Sequence, residues 1–465
     1  MLSKHRLAGN QSGSTLVAMI LLSVLILIVT LAVFQFGSQD ASLAARRIDR
    51  SKALYMAESG LARAHTWLEA QDDPPPGILA IEPFGASPET LDYGSYSVTI
   101  TPDVGNAASS RKHYTIRSVG TFGNRTRTLE RDVMTQSYAQ FIYFTEIERP
   151  PNTYTPVWFC SADNIDGDLH TNGQIHIFGN PTYGGHVTSA HGGPDDPDLG
   201  NNPSFMYYNG SYYGHIESSA PSNPPHDEPV FMDGYELGAS EIELPSYIDD
   251  LVTLATDDGL LLTGDYDIEI GRDAGSGPMY GTLSYRPVSG GSWIDVDIST
   301  FNGVMYVDGS VEVEGVLDGS LTIASSGTIS IMDDLTYAAS DADGPLDGCD
   351  DVLGLVSESN IVVEDNWANQ SDCTIHAHLM ALGTSFEVEN YRYGSPRGTL
   401  TVHGGIVQRY RGCVGSGRLD GDTITIYTGY AKSYHYDSRF DSVQPPGYLL
   451  TGKYYKLSWR EVPCA

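Results

Sequence analysis

Ser14-Thr-Leu-Val-Ala-Met-Ile-Leu-Leu-Ser-Val-Leu-Ile-Leu-Ile-Val-Thr-Leu-Ala-Val-Phe-Gln-Phe36 decides how the rest of this chain is read. No charged residue falls between Gly9 and Gln39, and Leu16–Phe36 is an apolar run of 21 residues. At 1.5 Å per residue one helix of that run spans ~31 Å, the thickness of a bilayer core. Lys4, His5 and Arg6 precede it, which predicts a cytoplasmic N-terminus by the positive-inside rule. A secretory signal peptide is the rival reading, but its apolar core is usually ~7–15 residues and ends at a small-residue cleavage site. Here the helical period continues past the run through Leu54, Ala57, Leu61, Ala64 and Leu68, until Pro74-Pro75-Pro76 stops it. The expectation is one helix of ~87 Å over about 14–72, half in lipid and half projecting from it.

Beyond the helix the charge changes. Residues 1–137 hold 13 Lys+Arg and 12 Asp+Glu, a balance of +1; residues 138–465 hold 13 and 47, a balance of −34. A module so acidic excludes nucleic acid as a partner, because neutralising phosphates takes clustered Lys and Arg. Five cysteines in 465 residues do not make a disulfide scaffold, and 50 glycines with 29 tyrosines point to β structure rich in tight turns. In 90–136, Tyr93–Pro102, Tyr114–Val119 and Thr126–Thr135 alternate polar and apolar residues, which predicts three antiparallel strands able to cover the projecting half-helix.

These features resemble the type IV pilin-like proteins. The likeness is to the prepilin signal, a basic leader, a Gly and then an uninterrupted apolar helix, and here that reads Gly13-Ser14-Thr15-Leu16-Val17-Ala18. Tyr55-Met-Ala-Glu-Ser-Gly-Leu-Ala-Arg-Ala64 is similar to the Ala-Glu-x-Gly-Leu segment of PilX-type minor pilins. The resemblance implies cleavage by a prepilin peptidase between Gly13 and Ser14, with the helix kept in the mature chain. It also implies other pilin-like subunits as partners and a single pass through the cytoplasmic (inner) membrane, with the body periplasmic or extracellular and at the cell surface after assembly. Most pilins carry a Glu as fifth mature residue; counted from Ser14 the fifth is Ala18, an absence shared by PilX-type and GspK-type minor subunits. A buried carboxylate needs a partner, and a subunit without one needs no neighbour's amine below it. A priming or tip subunit is therefore expected over a bulk one, with a plain membrane anchor as the alternative.

The expected fold class is mainly β: a long N-terminal transmembrane α-helix with a small antiparallel pilin-like sheet, then a β-helix or β-solenoid-like body. The divisions are 1–13 leader, 14–72 helix, 73–137 β head, 138–156 linker, 157–442 acidic body and 443–465 C-terminal tail. In 302–332 apolar residues alternate within short segments punctuated by Asp308-Gly309, Asp318-Gly319 and Ser326-Gly327. Such pairs suit either hairpins or rungs of a parallel β-helix, and the rungs are favoured. Pro245–Thr256 reads as a short helix, with Ile248, Leu251, Val252 and Ala255 on one side. Asp166–Gly173, Gly354–Ile361, Gly404–Gly415 and Tyr436–Arg439 resemble an uncharacterised bacterial domain family found downstream of PilX-like N-termini, over about 157–442, which implies no activity.

Candidate chemistry in the body is sparse. Asp341, Asp343 and Asp347, with Asp333 and Asp334 upstream, offer the oxygen ligands Ca²⁺ wants, against a solvated acidic loop. Asn164, Asp166, Asp168 and His170 would share one side of a strand, with His176, His186 and His191 nearby, as metal ligands or as a polar face. His376 and His378 alternate with apolar residues and are expected on an exposed side. Cys349 and Cys373 are a candidate disulfide, as are Cys413 and Cys464, while Cys160 after Val-Trp-Phe is expected to be buried and unreactive. Phe205–Gly214, dense in Tyr, Gly and Ser, suits an adhesive surface for a glycan or other surface ligand. No P-loop, HExxH or Gly-x-Ser-x-Gly motif is present, so no enzyme is expected. The rival is a membrane-tethered polysaccharide-acting β-helix enzyme using pairs such as Asp295 with Asp297 or Glu387 with Glu389.

Overall fold

A computed structural model describes residues 12–463 apart from 72, 77–78, 93, 105–110, 154–156, 179, 192–206, 209–210, 213–228, 276, 340–347 and 421–422. Two compact units emerge: residues 1–134 with 454–465, and residues 135–453.

In the first unit α1 runs unbroken over Ser12–Glu69, 58 residues with no proline inside it. Its second half is amphipathic: Ala53, Ala57, Leu61, Ala64 and Leu68 are at most 1% exposed. They pack on a sheet in the order β1 (Glu89–Leu91), β2 (Gly94–Pro102), β3 (His113–Phe122), β4 (Arg125–Ser137) and the C-terminal strand Leu450–Val462. The pairs from β1 to β4 are antiparallel, as expected. Alternation places Tyr96, Val98, Ile100, Tyr114, Ile116, Leu129 and Val133 on the helix side. The Pro74–Pro76 run after the helix is tied down by the Tyr114 hydroxyl, which donates to Pro75 O.

Two glycines let helix and sheet meet. A Cβ at Gly120 would overlap the backbone of Ala57 and Ala53, and one at Gly60 would overlap the Ser118 hydroxyl. The Ala-Glu-Ser-Gly-Leu segment thus places Ala57, Gly60 and Leu61 at the sheet. Gly120→Val should push α1 off β3 and lower stability by about 1–3 kcal/mol or more. Gly37→Ala, where a Cβ meets nothing within 4 Å, should be neutral or stabilising. Urea unfolding of the two variants checks the contrast.

Two expected boundaries are corrected. Residues 443–465 are not a tail: Leu450–Val462 extends the sheet beside β4, with Ser458 and Arg460 both bonded to Asp132 at 2.6 Å. Nor are 138–156 a linker. Ser137 caps the turn Tyr138–Gln140, and the next strand, β5 (Phe141–Ile147), is buried along Phe141–Thr145. Its continuous Phe-Ile-Tyr-Phe run has no alternation because both of its faces are covered.

The second unit is built from parallel pairs. Strands separated by Asp308-Gly309, Asp318-Gly319 and Ser326-Gly327 do not pair as hairpins. Val304–Asp308 pairs with Ser320–Ser325, and Val311–Leu317 with Ile329–Tyr337, both in parallel. One register column runs Leu260, Met305, Ile323, Leu355, Leu379, Ile406, Tyr143, Leu169, Val187, Tyr235. A second runs Ile268, Val313, Ile331, Val363, Val388. The first column is not in chain order: β5 lies beside Pro396–Tyr410, so two successive stretches of the chain meet at that pair. Antiparallel exceptions among the described residues are Thr282–Pro287, which lies between Tyr266–Ile270 and Ile294–Asp297, the short pair Tyr207–Tyr208 with Ser211–Tyr212, and Gly415–Asp420 with Thr423–Tyr436.

Alternate residues of these strands serve two cores. Met305, Leu355, Leu379 and Ile406 join one cluster, while Val304, Val356, Met380 and Val407 join another. The second is covered by Ile242, Leu244, Phe440, Tyr448 and helix α2 (Asp249–Asp257), which buries Leu251 and Ala255. α2 fulfils the helix expected in 245–256, starting after Ile248.

Candidate functional site

The apolar half of α1 is chemically uniform. Leu16 to Phe36 are exposed around the whole helix except Ala32, which is half-buried, and none of the residues in its most apolar part, of mean hydropathy 3.2, is buried. Among the described residues α1 is the one helix long and apolar enough to cross a membrane. Its hydroxyls need no water: Ser23 donates to Ile20 O at 2.8 Å and Thr30 to Ile26 O at 2.7 Å. Such bonds satisfy polar groups within the helix itself, as a hydrocarbon setting requires. Ala18 lies in this stretch with no carboxylate nearby in sequence. Gly13 and Ser14 fall in the first turn of α1, their side chains outside the described residues.

In the second unit a cavity of about 400 Å³ opens where the strand Pro396–Tyr410 ends. Arg411 is fixed at its base, its N–H donating to Ile147 O at 3.0 Å. Its guanidinium donates to Glu148 at 2.8 Å and to Val157 O at 3.1 Å, and lies 3.6 Å over the Phe159 ring. The two side chains are 3% and 2% exposed, a desolvated ion pair, and the Thr145 hydroxyl also donates to Glu148. Trp158, Cys160, Tyr391, Arg392 and Lys432 line the cavity. Lys432 pairs with Asp163 at 2.5 Å, and Asp163 accepts the Cys160 N–H at 2.7 Å. Sequence reasoning missed this place. Glu148 stood in an expected linker, and Cys160, read as buried, is half-buried at the cavity wall.

The expected sites fare unevenly. Asp341, Asp343 and Asp347 lie outside the described residues, as does Cys464. Cys349 and Cys373 are not joined: both are buried free thiols. Cys349 donates to Asp351, while Cys373 faces the core in register with Leu400. Neither Cys160 nor Cys413 is joined in a disulfide. Among the described residues no three His, Cys, Asp or Glu come together as a metal site. Asn164 and Asp168 belong to different sheets, because the chain breaks pairing between Ile165 and Asp168. His170 is spent on Thr188 at 2.7 Å and Asn172 at 3.0 Å.

His376 and His378 were expected on an exposed side, and both are buried, at 1% and 0% exposure. Their strand, Cys373–Ala381, is covered on both faces, so alternation with apolar residues does not mean exposure there. His378 bonds Phe141 O at 3.1 Å and the Tyr448 hydroxyl at 2.5 Å. His376 is in register with His403 and His403 with His435, with ring centroids 5.0 and 4.9 Å apart. Of the proposed acid pairs, Asp295 is held by Ser284 and Arg272, and Asp297 caps the turn at Ser299. Glu387, Glu389 and Glu364 line a groove of about 430 Å³, where burial pushes Glu387 and Glu364 above the usual carboxylate range. Of Phe205–Gly214, only the short pair Tyr207–Tyr208 with Ser211–Tyr212 is described.

Residues 95–192, about a fifth of the chain, match a domain of unknown function (DUF4900). That span overlaps the expected 157–442 resemblance only at 157–192. No curated protein matches the chain. Among solved structures it is similar to the competence-associated pilin ComZ from Thermus thermophilus, at 12% identity and a TM-score of 0.27. The likeness covers 89% of this chain and 97% of ComZ, at a score below that of shared folds.

Proposed function

We propose that this chain is a membrane-anchored minor pilin-like subunit of a type IV pilus or type II secretion-like filament. It primes assembly or stands at the tip, and it presents an extracellular β body for adhesion. The observation that carries this reading is the division of α1: the Leu16–Phe36 half is bare and apolar, while Ala53 to Leu68 pack on an antiparallel sheet. A helix so divided suits a rod that sits in lipid before assembly and among similar rods afterwards. PilX-type character is supported by the packing role of Ala57, Gly60 and Leu61, and a priming or tip position by Ala18 in place of a carboxylate. Cleavage after Gly13 by a prepilin peptidase belongs to the same reading. The parallel register columns support a β-solenoid as the body, a rigid stack able to display surface ligands away from the cell.

The role is binding and not catalysis. Asp295 and Asp297 are engaged in local structure, which weighs against the polysaccharide-acting enzyme at that pair. Shearing filaments from producing cells tests the proposal. Peptides of this chain should co-isolate with the other pilin-like subunits, and their confinement to the membrane fraction would reject it.

A further inference from the structure

The cavity above Arg411 has a chemistry unlike the rest of its unit. Residues 138–465 carry a balance of −34, yet among the described residues the charged ones lining this cavity are Arg392, Arg411 and Lys432 against Asp163. Arg411 and Lys432 are already neutralised, by Glu148 and Asp163. Arg392 is different. It is exposed at the rim, where it also borders the groove of Glu364, Glu387 and Glu389; its Nε donates to the Tyr391 hydroxyl at 2.7 Å, and no carboxylate among the described residues forms an ion pair with it. That bond orients the guanidinium and leaves its outer fork free to take a carboxylate through two parallel bonds.

Trp158 and Tyr391 add aromatic surface to the same cavity. A volume of about 400 Å³ is at the low end of small-ligand sites, room for one or two sugar rings. The acidic surroundings would repel a polyanion lacking such a local contact, so the fork also selects. We infer that this cavity binds a carboxylate-bearing saccharide, with the acid on Arg392 and a sugar face on Trp158 and Tyr391. The inference rests on the adhesive reading above and gives it a ligand class.

Calorimetric titration of the full chain in detergent micelles tests it, with a galacturonate disaccharide and its neutral galactose counterpart as probes. The acidic probe should bind at least tenfold more tightly. Arg392→Ala, an exposed change that leaves the fold intact by circular dichroism, should remove that preference, and Trp158→Ala should weaken both probes. Equal affinity for the two probes, no binding of either, or an acid preference that survives Arg392→Ala would overturn the inference. Failure of the subunit reading looks different: the acid preference persists while the chain no longer co-isolates with sheared filaments.

Discussion

Lowering the pH from 7 to 5 should cost the second unit on the order of 5 kcal/mol through three buried histidines. Burial pushes His170 and His376 down to about 4 and His378 to about 3. An unfolded chain takes up these protons near pH 6.5, the folded one only at those lower values. The stabilisation is therefore full above pH 6.5 and is lost progressively as pH falls toward 4, at about 1.4 kcal/mol per pH unit for each group. His378 shows the cause most plainly: it is wholly buried, and burial disfavours the imidazolium although Phe141 O, accepting from a ring N–H, favours it. Two effects oppose this. Asp166 raises His435, and burial raises Asp168, Glu269, Glu312, Glu314, Asp334, Glu358, Glu364 and Glu387, so each of these gains stability on acidification. These carboxylates bind protons at higher pH in the folded chain than in the unfolded one, so they offset part of the loss as the pH nears 5, while the three buried histidines give the slope its sign. Urea midpoints at pH 8, 7, 6 and 5 measure the slope, and His378→Asn should flatten it. A midpoint constant over that range would contradict the neutral buried imidazoles.

Arg411→Met should cost about 3–5 kcal/mol, because it strands Glu148 in a site where the carboxylate is 2% exposed. The Thr145 hydroxyl remains as a donor, but one neutral bond does not replace a guanidinium. Removing both charges, as Arg411→Met with Glu148→Leu, should recover most of the loss, since an apolar replacement no longer buries an unpaired ion. Denaturant unfolding of the single and double variants gives both numbers. A single variant as stable as the parent chain would show that the pair is solvated in solution.

How much of this could be read from the sequence depended on whether the deciding signal was local. The helix was legible because its apolar run, its 3–4 spacing and its closing prolines lie in one continuous stretch. The antiparallel strands beside it were legible from alternation. The parallel pairing of 304–337 was only partly so, because a period of two serves a hairpin and a rung equally well and Asp-Gly suits either turn. Leu450–Val462 escaped notice because its partner β4 lies more than 300 residues earlier and its outward residues are charged. β5 and Cys373–Ala381 misled for the opposite reason: both faces are buried, so neither an apolar run nor an alternating one reports exposure. The cavity was invisible. It draws Trp158, Tyr391, Arg411 and Lys432 from four distant stretches, and none of them forms a local motif.

The central claim is that the apolar half of α1 stays in the mature chain and serves in assembly. N-terminal sequencing of the protein recovered from cells producing it with a prepilin peptidase is the direct measurement. The account predicts a first residue of Ser14, with Leu16–Phe36 retained. A chain starting at Met1 in those cells, or one released without Leu16–Phe36, would contradict it.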